Sequence, residues 1–430
     1  MAKYAIKKLH ARRVWDSRGR PTVEVEVLLE GGAKGIAIAP AGASRGRFEA
    51  IDLRDGGNSF GGWDVTHAIK AVDVEIAEVL TGQDVREQAR LDKFMIELDG
   101  TANKKRLGGN ATVAASMAIA HAAAACEGVP LWQYLRQDDK GDVTLPLPEI
   151  QIFGGGAHAS RRVDVQDFMV IATGATSFRQ ALDWTAEVYL HAGKIMADAG
   201  KLAGVADEGG FWPDFDTNEE AIETLLRAIE AAGFKPGAEV AISLDIAASE
   251  FGENGQYRLA KDNKTLDSDA MCAMLIDWME RYPIVSIEDP LGEDDPDGLM
   301  KFTWAVGDNA QVVGDDVLVT NADRVKAAAR DKLCNTLLCK PNQAGTLSET
   351  RAAFDAAKKA GMGRIISARS GETEDCTIVH MAVGWGAPQL KVGSFARSER
   401  MVKWNEGIRI ADTLADKDGP LPPKSAFHWR

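Results

Sequence analysis

Six apolar runs in the second half of this chain each end in an ionisable residue, and the charges fall in sorted order, three acids and then three bases. AEVAISLD closes on Asp245, YPIVSIE on Glu288 and AQVVGD on Asp315, while NTLLCK closes on Lys340, GRIISAR on Arg369 and APQLK on Lys391. The intervals run from 22 to 43 residues, the length of a strand, a turn, a helix and a turn. Repetition of that unit builds a parallel α/β barrel, whose catalytic groups sit at the C-terminal ends of its strands. Three carboxylates collected there make a hard oxygen site for Mg²⁺, and three cations beside them suit a substrate bearing carboxylate and phosphate. A charge that merely caps a strand explains one such run; it does not explain six in order.

At 430 residues the chain is too long for one small core, so a large barrel plus a smaller domain is expected. The formal net charge of −14 works against nonspecific binding to nucleic acid or an anionic membrane, either of which needs a positive field over much of the surface. Five cysteines, odd in number, form no CxxC or Cys/His cluster, which points to free thiols in a reducing cytoplasm rather than disulfides or zinc. The start MAKYAIKKLHARR lacks the apolar core of a secretory signal. ATVAASMAIAHAAAAC (111–126) is too short to span a bilayer and reads as a buried alanine-rich helix stopped by Gly128 and Pro130.

The segment TVEVEVLL (22–29) sets Val23, Val25 and Val27 on one face and Glu24 and Glu26 on the other, the pattern of a half-buried antiparallel strand. Helical patterns follow at 66–81, 87–97 and 111–127, giving an N-terminal α+β domain over 1–140 that ends near RQDDKGDV (136–143). From 141 to 430 strands and helices alternate, with further helices at 177–200, 217–233 and 347–360 and a closing loop at DKDGPLPPKS. Two other segments belong with the six strand ends. VADEGGFW places Glu208 before two glycines, and in VDVQDF the residues Asp164 and Gln166 face opposite to Val163 and Val165, so the carboxylates of Glu208 and Asp164 are expected in the barrel mouth. The assembly is then a metal held by Asp245, Glu288 and Asp315, a base at Lys340 kept neutral by the neighbouring cations, and an acid at Glu208. Proton abstraction next to a carboxylate needs divalent charge on the dianion that forms.

An ordered series of motifs resembles enolase, phosphopyruvate hydratase, along nearly the whole chain: WDSRGRPTVEVEV, PAGASRG, GGAHA, VQDFM, ADEGG, LDIAASEF, YPIVSIED, VGDDVLVTN, NQAGTLSET, SARSGETED and RSER. The resemblance implies an α/β fold, an enolase-type TIM-like barrel opening ββαα, with an N-terminal α+β lid domain, and a homodimer or higher homo-oligomer. It implies two Mg²⁺ ions, the first on Asp245, Glu288 and Asp315 and the second brought in with the substrate under Ser44 of a glycine-flanked loop. Lys340 takes the C2 proton and Glu208 protonates the departing 3-hydroxyl. Lys391 meets the substrate carboxylate, Arg369 and Ser370 its phosphate, and His158, Gln166 and Asp167 lie alongside. Arg18 matches a subunit-contact arginine, whose acidic partner falls near Asp412. The substrate is a small phosphorylated hydroxy acid, 2-phosphoglycerate in the named reaction.

Three positions depart from the family pattern: Ala368 stands where SHRSGE has histidine, Asp167 where QEF has glutamate, and Ala157 where NGGEHA has an acid. All three remove bulk, while Arg45, Arg161 and Arg162 add charge to nearby loops. Pro341 also follows Lys340 and biases the lysine towards extended backbone. Two alternatives follow. One is an enolase-like lyase for a larger 2-phospho-3-hydroxy acid; the other, prompted by the loss at Ala368, is a noncatalytic enolase-fold binding protein.

Overall fold

The valine–glutamate alternation of residues 22–29 is realised in the middle strand of a three-stranded antiparallel sheet. The computed structural model describes residues 2–136 and 141–429, so the expected domain boundary at 140 and part of the loop 136–143 lie outside the described residues. Strands Ile6–Trp15 (β1), Pro21–Leu29 (β2) and Lys34–Ile38 (β3) pair in that order. In β2, Val23, Val25 and Val27 are fully buried while Glu24 and Glu26 are half-buried on the other face. The buried face meets helix Gly109–Glu127, which is itself enclosed along nearly its whole length. The approach is so close that a Cβ at Gly35 would come within 2.1 Å of the Ala118 carbonyl, which is why the helix is alanine-rich. The pattern read at 66–81 is helical from Thr66 to Leu80, with its middle, Ala71–Ile76, widened into a π-helix.

The second half is a closed barrel of eight strands. Leu147–Gly154 (β4), Asp167–Ile171 (β5) and Ala241–Asp245 (β6) begin it, and three short antiparallel strands, Gly252–Glu253 (β7), Gln256–Leu259 (β8) and Lys264–Asp267 (β9), form a separate flap. Ile284–Glu288 (β10), Gln311–Gly314 (β11), Thr336–Cys339 (β12), Gly363–Ser367 (β13) and Gln389–Ser394 (β14) complete the ring, and β14 returns to β4. β5 runs antiparallel to both β4 and β6; the other pairings are parallel. Helices Phe178–Asp198 and Asn218–Ala231 both fall between β5 and β6, so the barrel opens ββαα. Each begins at a hydroxyl that accepts a backbone N–H of its first turn, Ser177 from Gln180 and Thr217 from Glu220.

The inverted strand matters for the site. Parallel strands deliver their last residues to one mouth, whereas β5 delivers its first, and Asp167 lies in register with Asp245.

Candidate active site

Asp245 and Glu288 are the last residues of β6 and β10 and lie in register beside each other. Asp315 and Lys340 directly follow β11 and β12, and Arg369 lies just past β13. Lys340 holds φ −124° and ψ 115°, the extended backbone expected ahead of Pro341, which opens a short helix. Lys391 differs from the expectation. Its run does not end there, because β14 continues to Ser394 through a register shift before Gly393, so the lysine is the strand's third residue and reaches the mouth from inside the barrel.

The charges are interlocked. Lys391 Nζ lies 3.0 Å from Asp245 Oδ2, 2.8 Å from Glu288 Oε2 and 3.5 Å from Asp167 Oδ2. Burial disfavours its charge, but Asp245 and Glu288 outweigh burial and raise its pKa well above the ordinary value. Several buried acids share that one ammonium, so burial and the charge of Asp245 push Glu288 up. Lys340 Nζ lies on Asp315 Oδ2, whose Oδ1 accepts from Gln343 Nε2 at 2.8 Å. The lysine was expected to be held low by Lys391, Arg369 and Mg²⁺ together, and the two side chains do act in that direction. Burial does pull it down, but the Asp315 carboxylate outweighs burial and raises it, so in this arrangement Lys340 is an ammonium.

Across the mouth, His158 Nδ1 lies 3.0 Å from Asp167 Oδ1, and its Nε2 lies 3.7 Å from Glu208 Oε1. The ring thus stands between the two acids. Burial would lower the imidazole's pKa, but Asp167 and Glu208 raise it to about 9. A pKa raised above the unfolded value of about 6.5 contributes stability that is complete below that pH and lost as pH climbs through about 9. Asp167→Asn removes the main raising charge. The melting temperature of the variant is therefore expected to fall less between pH 6.5 and 9 than that of the unaltered protein; parallel slopes would show that this pair does not set the alkaline limb.

Gln166 donates to Asp245 Oδ2 at 3.0 Å, and Gln151 donates to Asp167. Glu208 is carried by a loop packed so tightly that a Cβ at Gly209 would lie 2.5 Å from the Ala396 carbonyl, which explains the glycine after the acid. The loop of residues 40–50 covers the mouth. Arg369 donates to Glu49 and Asn342 at 3.0 Å and to the Ser44 carbonyl at 2.9 Å. Ser44, His158, Gln166, Asp167, Glu208, Asp245, Lys340, Ala368, Arg369, Ser370 and Lys391 line one cavity of about 20 Å³. That is room for about one water, so entry of a substrate requires the loop to lift. A far larger groove of about 1100 Å³ lies outside the barrel around Met300 and Trp304, but the convergent acids and cations are at the small cavity.

Several expectations are corrected. Asp164 does not enter the mouth; it accepts from Asn218 Nδ2 and the Ala260 and Lys261 amides at 2.8 to 3.0 Å and fastens loops outside it. Arg161 and Arg162 pair with Glu250 and Asp214, and Arg45 lies 3.7 Å from Asp52, so none of the three lines the cavity. Within one protomer Arg18 bonds Ser370, Ala41 and Asp16, and Asp412 pairs with Arg179 at 2.7 Å; their expected contact across a subunit interface belongs to the homodimer proposed below. Sequence reasoning also missed residues. Asp289 accepts the amides of Asp315 and Asp316 at 2.9 Å each, and burial with the charge of Asp315 raises its pKa to about 8. The signal was the acidic doublets Glu288–Asp289 and Asp315–Asp316. Glu49 and Gln343 were also missed: Glu49 bonds both Arg369 and Gln343, and so joins the covering loop to Asp315.

A barrel mouth in which buried carboxylates meet buried lysines beneath a loop from the N-terminal half is the arrangement of an acid–base enzyme. Residues 6–135 match the enolase N-terminal domain and residues 142–419 match the enolase C-terminal TIM barrel domain. The chain is also 46% identical over 430 residues to Enolase 1 of Desulfitobacterium hafniense (strain Y51), covering 99% of this chain and 98% of that protein. The chain belongs to the enolase family, and it is a hydro-lyase of the enolase type. Among the described residues no helix is long and apolar enough to cross a membrane.

Proposed function

We propose that this protein dehydrates 2-phosphoglycerate to phosphoenolpyruvate with Mg²⁺, as the glycolytic enzyme of a cytoplasm and as a homodimer, with residues 1–140 serving as the lid domain. The observation that carries this reading is the buried cavity flanked by Lys340 from the β12 end and Glu208 from the loop against β14.

The donor chemistry suits a hard divalent cation: Asp245, Glu288 and Asp315 are 2%, 2% and 6% exposed, offer oxygen donors only, and are balanced here by two ammonium groups that partly offset their repulsion. Among the described residues the acids already gathered within 4.8 Å of one another are Asp289, Asp315 and Asp316 on one side and His158, Asp167 and Glu208 on the other, so Asp245 and Glu288 would have to draw in towards Asp315 to share one ion. Those three would hold one Mg²⁺ and Ser44 a second arriving with substrate. When bound, Mg²⁺ supplies positive charge for the developing dianion and neutralises the Asp315 charge that keeps Lys340 protonated. Arg369 and Ser370 receive the phosphate, and Lys391 the carboxylate. Lys340 Nζ, as the free amine, removes the C2 proton; Glu208 delivers a proton to the 3-hydroxyl, which departs as water. Closure of residues 40–50 excludes bulk water from the carbanion. EDTA is accordingly expected to abolish turnover, Mg²⁺ to restore it, and Mg²⁺ to raise the melting temperature of the unaltered protein but not of Asp315→Asn.

The larger-substrate alternative loses most of its support. Asp167 is filled in by Gln151, His158 and Lys391, the added arginines are engaged elsewhere and Ala157 does not line the cavity, which leaves Ala368 on the cavity wall as the departure that still favours it. The deciding assay follows enol-phosphate absorbance and α-proton exchange together, with Mg²⁺, on 2-phosphoglycerate and on C4-extended 2-phospho-3-hydroxy acids. Preference for 2-phosphoglycerate is expected. Turnover confined to an extended acid would replace the proposal, and absence of exchange with every compound would favour the noncatalytic reading.

A further inference from the structure

Arg18 lies in the N-terminal sheet's first turn, yet its side chain is 6% exposed and runs into the barrel domain. Nη1 donates to Ser370 Oγ at 3.2 Å, Nη2 to the Ala41 carbonyl at 2.8 Å, and Nη2 also lies 3.4 Å from Asp16 Oδ2. Nε is buried with no partner among the described residues. Asp16 fixes the turn around the arginine by accepting the amides of Arg18 and Arg20 at 2.8 and 2.9 Å. Ala41 and Gly371 exchange two backbone bonds at 2.9 and 2.8 Å, joining the root of the covering loop to the residue after Ser370. A Cβ at Gly371 would come within 2.4 Å of Nη2, so glycine there is the condition for the guanidinium to reach both.

A serine hydroxyl has one hydrogen to give and lone pairs to accept. Because Ser370 Oγ accepts from Arg18, its own hydrogen is directed away from the guanidinium, and Ser370 lines the cavity. A donor so polarised, backed by a buried positive charge, is suited to an anionic oxygen.

We propose that Arg18 is a positioning residue of the phosphate subsite: it orients the Ser370 hydroxyl as a donor to the substrate phosphate and ties that donor to the root of the covering loop at Ala41. This rests on the reading of Ser370 as a phosphate-binding residue. The test compares Arg18→Gln, Arg18→Lys, Ser370→Ala and the Arg18→Gln/Ser370→Ala double variant. Binding of inorganic phosphate is measured calorimetrically with Mg²⁺ present, KM and kcat are measured with 2-phosphoglycerate, and the melting temperature is recorded for each protein. Arg18→Gln is expected to weaken phosphate binding and raise KM by roughly tenfold or more, the range for losing one hydrogen bond to a charged group, with a smaller change in kcat. The double variant is expected to match Ser370→Ala within about twofold, because the arginine acts through that hydroxyl. Arg18→Lys, which keeps the charge, is expected to recover part of the phosphate affinity.

Effects that multiply in the double variant would overturn the proposal. So would a lowered melting temperature with phosphate affinity unchanged. Phosphate bound normally by the unaltered protein without turnover of 2-phosphoglycerate would sink the reaction assigned above and leave the Arg18 comparison readable. No phosphate binding by the unaltered protein would overturn the Arg18 proposal directly.

Discussion

Lys340→Ala is expected to lower kcat with 2-phosphoglycerate by about 10³ to 10⁴ and to eliminate exchange of the α-proton with solvent. The lysine follows a buried strand, its backbone is held extended ahead of Pro341, and its amide donates to Thr320 Oγ1 at 2.9 Å, so few positions are open to its amine. Its stem is buried and the cavity lies at its tip. Without the amine no group at that place accepts the C2 proton, and the carbanion does not form. The substitution also strands Asp315, a buried carboxylate whose other oxygen accepts from Gln343. Breaking a buried pair by removing one partner costs about 3–5 kcal/mol. The metal-free variant should therefore melt well below the unaltered protein, and Mg²⁺ should recover much of the loss by taking the place of the ammonium. Measuring exchange in deuterated buffer at saturating Mg²⁺ separates chemistry from stability; persistent exchange in the folded variant would remove Lys340 from its role.

The barrel was legible because each of its parallel strands, buried on both faces, is a short apolar run, and because a charge at the end of such a run has nowhere to go but the mouth. Asp245, Glu288, Asp315, Lys340 and Arg369 lie where that argument puts them. Lys391 was placed at a strand end because its run stops being apolar, yet β14 carries on through a bulge, which periodicity does not report. The inverted β5 was not legible from alternation alone, and it entered through the family resemblance. Asp164 shows the cost: its alternation with Val163 and Val165 is real, but it precedes the strand, and the mouth is reached instead by Gln166 and Asp167. Pairings between distant segments were the least visible. Arg18 with Ser370 is separated by 352 residues and Glu49 with Arg369 by 320, and only the folded chain says which partner a charge has found.

Glu208→Gln is expected to separate the two halves of the reaction, lowering dehydration by about 10² to 10⁴ while α-proton exchange persists near the unaltered rate. Lys340 and Glu208 are held by different elements: the lysine by β12 and the short helix after it, the acid by a loop whose backbone accepts from the Ser394 amide at 2.9 Å. Glutamine keeps the size and the packing around Gly209 but has no acidic proton to give. Abstraction at C2 then proceeds and reverses, which is read as exchange, whereas expulsion of the 3-hydroxyl stalls. Equal loss of exchange and dehydration would mean that Glu208 serves the first proton transfer as well, and that acid and base are not divided between the two sides of the cavity.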